Sequence, residues 1–298
     1  MADSNFRRHN LSAPNNVDAD PQNVVSRATA LSVIEGPLAK HRDALTLVGG
    51  QAVMLRTNDR FGLRTSTSDA DFAITPELVS SDPNIEQALR AAGFEPRNPD
   101  RPGLWGRSPT IDPVTGRKVW AEMLDIDCPF ALSGAVSPKK RSAPLLRSHG
   151  KHATNNTPGL ELASIDRDLV DVPDLHNPSH SVQMYVGGYA GLICAKSYKI
   201  GERTYGTSRD VRPKDYNDLF LLVDTAGPET VAATFRQHSD DAVIGASVRQ
   251  GQQYFSTLIR DDMVKQSMLA ASDGAYPVDV LDGLLEQWRQ AFPTSVDW

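Results

Sequence analysis

The chain has 298 residues, and its 31 Lys and Arg against 37 Asp and Glu give a net charge of −6. With 40% hydrophobic and 23% charged residues, it is neither a disordered nor a fibrous chain, and it is long enough to bury one large core or two modest ones. The acidic balance excludes a simple histone-like binder but says nothing about a local basic face.

Met1 to Asn23 is polar, carries Arg7 and Arg8 and has no apolar run, so it is expected to be a disordered lead-in and not a signal peptide. Val24, Val25, Ala28, Leu31, Ile34 and Leu38 then recur at helical spacing. Leu45 to Val48 is a short β-type run ending at Gly49-Gly50, after which Gln51 to Arg56 restarts a helical pattern. Asp69 to Ile74 predicts a strand closed by Thr75-Pro76, and Pro83 to Ala92 a helix capped by Gly93. Lys118 to Cys128 predicts a third strand stopped by Pro129, and Leu160 to Val172 one or two more. The first 177 residues therefore mix α and β. Beyond Pro178, Val182–Ile200, Lys214–Asp224, Glu229–His238, Ala242–Ala271 and Val278–Phe292 favour helix, with Trp288 and Phe292 on one face. The expected architecture is α+β, with an α/β domain over residues 24–177 and a mainly helical one over 178–298.

Two cysteines, Cys128 and Cys194, leave room for one disulfide but exclude a disulfide framework or a CxxC zinc site, and both are expected to be buried small hydrophobes. The uncharged stretch from Ser181 to Ala195 is too short to span a bilayer, so a soluble, cytoplasmic protein is expected. Charge is concentrated in two windows. Ser137 to His152 holds Lys139, Lys140, Arg141, Arg147 and Lys151 with no acid. Lys196 to Lys214 holds six cations against Glu202 and Asp210. They carry +5 and +4, leaving −15 to the rest of the chain.

The chemistry-bearing stretch is Leu47-Val48-Gly49-Gly50-Gln51-Ala52, followed by Ser68-Asp69-Ala70-Asp71. A strand entering Gly-Gly and then a helix lets backbone amides approach an anion closely. Asp69 and Asp71, two apart on a strand, present both carboxylates on one face, an arrangement that repels itself unless a divalent cation lies between them. A third acid would come from Asp125 or Asp127. Asp127 is the better candidate for a strand edge, and Asp215 and Asp218 suit the N-terminal turn of a helix whatever the function. Gly187-Gly188-Tyr189-Ala190-Gly191 has the look of a dinucleotide loop but lacks an expected strand before it. Ser137-x-x-Lys140 matches a Ser-Lys hydrolase motif without its companions.

Gly49-Gly50, Thr67-x-Asp69-x-Asp71 and Asp125 on a later strand resemble the nucleotidyltransferase superfamily related to DNA polymerase β. Ala195-Lys196, Lys214-Asp215-Tyr216-Asn217-Asp218-Leu219 and Asp125-Ile126-Asp127-Cys128-Pro129 resemble further motifs of its AbiEii/AbiGii toxin branch, which includes the MenT-type toxins. The resemblance covers roughly residues 45 to 225. It implies a polymerase β-like core and an enzyme that transfers NMP from an NTP to the 3′ end of tRNA, blocking translation. Asp69, Asp71 and Asp125 would ligate two Mg²⁺ ions, Asp125 would also deprotonate the acceptor hydroxyl, and Lys196 would stabilise triphosphate charge. Gly49, Gly50, Ser68, Lys199, Asp215 and Asp218 would complete the nucleotide site, with the remaining basic position falling to Arg64 or Arg56. The resemblance also implies a cognate antitoxin, either kinase-like and acting on Ser68 or of the transcriptional-regulator type. The two basic windows would flank the cleft and meet RNA phosphates, with no membrane partner. A small-molecule or protein hydroxyl as acceptor, or a non-catalytic nucleotide- or RNA-binding regulator of the same fold, are the alternatives.

Overall fold

A computed structural model describes residues 20–57, 66–137, 142–206, 212–272 and 276–293. The first helix, α1 (Pro21–Glu35), opens with Asp20 as its cap and Pro21 in its first turn, so Pro21 to Asn23 are helical and Asn23 is buried, contrary to the expected lead-in. Asp20 accepts a hydrogen bond from the Gln22 amide, and Pro21 gives up no bond that a first-turn amide would have made. Next come β1 (Leu45–Val48), α2 (Gly49–Thr57), β2 (Asp69–Ile74) and α3 (Ile85–Ala91). Four strands follow that build out the sheet: β3 (Glu95–Pro96), β4 (Leu104–Ile111), β5 (Lys118–Pro129) and β6 (Asn155–Thr157). The last two strands are β7 (Arg167–Pro173) and β8 (Ser181–Gly187).

These strands form one mixed sheet in the order β3-β4-β5-β2-β1-β8-β7, with β6 paired to β5 off that path. β1 runs antiparallel to β2 and parallel to β8, while β2 runs parallel to β5. Ala70 and Phe72 on β2, and Leu124 and Ile126 on β5, are fully buried, and α1 packs across both strands. Each large apolar side chain so buried contributes roughly 1.5–3 kcal/mol, which fixes the register. A slip of one residue would drive Asp69, Asp71 and Asp125 into that core and bring the apolar set out.

The run from Val182 to Val186, expected as the start of a helix, is instead β8, and the helices open at α4 (Tyr189–Tyr205). After it come α5 (Pro213–Thr225), α6 (Pro228–Ser239), α7 (Gly245–Leu258), α8 (Asp262–Ala271) and α9 (Val278–Ala291). The single helix expected over Ala242–Ala271 divides into α7 and α8 because Asp261 caps a new N-terminus, accepting from the Met263 and Val264 amides. Trp288 and Phe292 do share a face, stacking at 6.0 Å, and Trp288 donates its indole N–H to the Val223 carbonyl. Cys128 and Cys194 are both free and buried. Among the described residues, no helix is long and apolar enough to cross a membrane.

β8 also supplies the strand that the Gly187-Gly188-Tyr189-Ala190-Gly191 loop was expected to lack. The helix N-terminus behind that loop is nonetheless filled from within. Asp166 accepts from the Gly191 amide at 2.7 Å through its carboxylate and from the Gly188 amide at 2.6 Å through its carbonyl. A side chain at Gly188 would overlap that carboxylate. A resident carboxylate thus takes the place of a dinucleotide phosphate. Asp166→Ala is expected to cost about 1–2 kcal/mol in urea unfolding at unchanged m-value, with Asp166→Asn recovering part of the loss.

Candidate metal centre and active site

The carboxylates of Asp69, Asp71 and Asp125 each offer an oxygen within 4.8 Å of the others, and all three residues are half-buried. Strand pairing creates the cluster. Asp71 stands opposite Asp125 across the parallel β2–β5 ladder, and on its other side opposite Val48, the last residue of β1. β1 ends there and α2 begins, which sets the helix N-terminus beside Asp71. Gly49 has φ of +66°, and a Cβ on it would overlap the Asp71 carboxylate. Glycine is needed at this point both for the backbone conformation and for the space Asp71 occupies. A Cβ on Gly50 would press on Thr67 at 2.8 Å.

A buried polar network holds the segment leading into β2. The Thr67 amide donates to Asn23 at 2.8 Å, and its carbonyl accepts from the Ser26 hydroxyl at 2.9 Å. Gln51, one turn into α2, donates to the Asn23 carbonyl at 2.9 Å and accepts from Arg27 at 2.7 Å. The Thr67 hydroxyl donates to the Asp69 carboxylate at 3.1 Å, orienting the first acid. Ser68 lies between them, half-buried. Sequence reasoning missed Asn23, Ser26 and Arg27 as supports, although Asp20-Pro21 is a helix-start signal that would have put them on a helix face.

The electrostatics are those of an acid cluster that its neighbouring cations neutralise only in part. Burial pushes the Asp71 carboxyl well above the usual carboxylate range, and the charges of Asp69 and Asp125 push it further than Lys199 and Lys196 can offset. Burial likewise raises Asp125 to about 7, with Asp69 and Asp127 adding to it against the opposing pull of Arg97. Arg97, which sequence reasoning also missed, forms an ion pair with Asp125. Asp127 lies one step further along β5. It accepts from Asn155 at 3.0 Å and Thr157 at 2.6 Å, so β6 satisfies its carboxylate outside the cluster.

Two helices of the C-terminal region form the wall behind Asp71. Lys196, Lys199 and Arg203 recur at spacings of three and four along α4, and Asp215 and Asp218 are three apart on α5, so the two rows face each other. Lys196 pairs with buried Asp218, while Lys199 at 2.9 Å and Arg203 at 3.0 Å converge on fully buried Asp215. Burial disfavours the charged form of Asp215, but Lys199, Lys196 and Arg203 more than offset it and hold the carboxyl below its ordinary range. Half of the six cations in the second basic window are therefore paired with acids of α5. Lys199 remains 38% exposed. Arg64, Lys139, Lys140, Arg141 and Arg209 lie outside the described residues. Arg147 and Lys151 line a shallow pocket with Ser142, Gly150 and Thr154. Arg56 is committed to the fold, donating to the Val186 and Gly187 carbonyls and pairing with Asp168. No protein family model, curated protein or solved structure matches this chain.

Three carboxylates with convergent oxygens, two of them reluctant to ionise, fit a hard divalent cation such as Mg²⁺ that would neutralise what the fold leaves repelling. A carboxyl whose folded pKa is raised binds more protons in the native than in the unfolded state, so its ionisation subtracts stability as pH rises. Without divalent cations, Asp71→Asn is expected to raise Tm by at least about 2 °C at pH 8, and the gain should vanish below about pH 3, where Asp71 is protonated in both states. The same substitution should abolish Mn²⁺ binding in a paramagnetic resonance titration. In the unsubstituted protein, Mn²⁺ affinity should increase from pH 6 to pH 8 as Asp125 loses its proton.

Proposed function

We propose that this chain is a Mg²⁺-dependent nucleotidyltransferase of the toxin type, transferring NMP from an NTP to the 3′ end of tRNA. The observation that carries the reading is the meeting of Asp69, Asp71 and Asp125 on two adjacent strands, beside a Gly-Gly turn that opens a helix. The sheet agrees with a polymerase β-like core in having the first two acids on the strand next to β1 and the third on the strand after it.

In this reading Asp69, Asp71 and Asp125 hold Mg²⁺. Bound there, Mg²⁺ would supply neutralisation of the charge on the triphosphate and would favour loss of the acceptor hydroxyl's proton. Asp125 would take the proton of the acceptor hydroxyl at one of its oxygens. Lys199 presents a partly exposed ammonium to the triphosphate, and Asp215 holds that side chain in place. Lys196 is buried on Asp218, so it adds positive potential behind Asp71 as a fixed charge. A phosphate on Ser68 would add a second repelling group to the acid cluster, which suits inhibition by a kinase-like antitoxin.

Incubation with Mg²⁺, each labelled NTP in turn and total tRNA tests this directly. Label is expected in RNA with one NTP preferred, and Asp69→Ala and Asp71→Ala should each reduce it to background while leaving the fold intact. Label entering a small molecule or the protein itself would replace tRNA as acceptor. No transfer with any NTP would remove the catalytic reading.

A further inference from the structure

Arg97 follows β3, and its amide donates to the Leu104 carbonyl at 2.8 Å, which anchors the residue at the root of the β3–β4 hairpin. From there its guanidinium reaches Asp125 through one terminal nitrogen, while the other lies 3.0 Å from the Met123 sulfur. Its Nε is buried with no hydrogen-bond partner among the described residues. The side chain is 18% exposed and Asp125 17%. An arginine that uses one of its donors on a carboxylate, rests another on a thioether and leaves a third unmet is poorly satisfied where it lies. Its partner is at the same time one of three acids whose oxygens converge on a common point.

We propose that Arg97 is a resident counter-ion of the acid cluster, displaced from Asp125 when a divalent cation binds and then free to take a phosphate group of the anion that arrives with the metal. The inference rests on the metal-site reading above. A guanidinium and a dication compete for the same carboxylate, since each lowers the free energy of Asp125 most when the other is away. A released guanidinium needs an anion, and a triphosphate offers the planar pair of acceptors that its fork matches. The exchange would make the centre favour metal that comes as a phosphate chelate over free metal.

Two titrations on the full chain separate this from a structural role. Mn²⁺ is titrated by paramagnetic resonance into the parent protein, Arg97→Gln and Arg97→Lys, with Asp71→Asn as the reference for loss of the site. Inorganic tripolyphosphate is then titrated calorimetrically at saturating Mn²⁺. Arg97→Gln is expected to bind free Mn²⁺ on the order of tenfold more tightly and tripolyphosphate on the order of tenfold more weakly. Arg97→Lys, which keeps the charge, should stay close to the parent for Mn²⁺. Opposite signs in the two titrations would not arise from a loosened fold. If Arg97→Gln leaves Mn²⁺ affinity unchanged or lower, or leaves tripolyphosphate affinity unchanged, the exchange is wrong while the metal site stands. If neither the parent protein nor Arg97→Gln binds Mn²⁺, the metal site itself is wrong.

Discussion

Two carboxylates facing each other across neighbouring parallel strands repel, and most of what surrounds Asp71 and Asp125 bears on that repulsion. The register that brings them together is set on the other face of the sheet, where Ala70, Phe72, Leu124 and Ile126 are packed away from water. Apolar burial there helps offset the electrostatic cost here, and the Arg97 ion pair with Asp125 offsets a further part of it. Gly49 allows Asp71 to lie against the start of α2, and Thr67 orients Asp69. The fold thus spends stability on an arrangement that Arg97 compensates only in part and that a divalent cation would compensate further.

The positive charge around the cluster is graded by depth. Lys196 is fixed and buried, Lys199 and Arg203 share one acid, and Arg97 is held against the cluster itself. Net charge by sequence window missed this gradation, because a window cut at Lys214 leaves out the acids that the fold pairs with its cations. Of the +4 between Lys196 and Lys214, the three cations on α4 are matched by Asp215 and Asp218 on α5, both of which lie just beyond the window's end in sequence. What faces outward is a smaller and more local positive potential than the count implies.

Much of the site was legible in the sequence, because its parts carry short-range signals. Leu45 to Val48 and Asp69 to Ile74 are bounded by Gly-Gly and Thr-Pro, and both strands fall where the pattern puts them. The pattern places Lys196, Asp215 and Asp218 on helices, but the expected helix ends at Ile200, before Arg203, and the pairing of the two rows is seen only in the structure. The errors came where two elements share one apolar run. Val182 to Ile200 is continuous in hydrophobicity yet holds a strand and a helix, and the Gly187-Gly188 pair was the break to read. β4 was missed because Gly106, Ser108 and Pro109 interrupt its pattern, and its pairing to β5 supplies what its own residues do not. Arg97 had no local signal at all, since its partner is 28 residues away and only the hairpin brings them together.

The place of β8 in the sheet has a consequence for how the protein is made. β1 lies between β2 and β8, and its pairing of Thr46 with Tyr185 spans almost half the chain. While the chain grows from its N-terminus, β1 therefore has one open edge until β8 has left the ribosome. The α4 wall behind Asp71 comes later still. Such long-range closure is slow and exposes an unpaired strand in the meantime. A nascent chain therefore holds all three acids well before it has the cations of α4 that face them, and the centre is complete only once α4 and α5 have emerged.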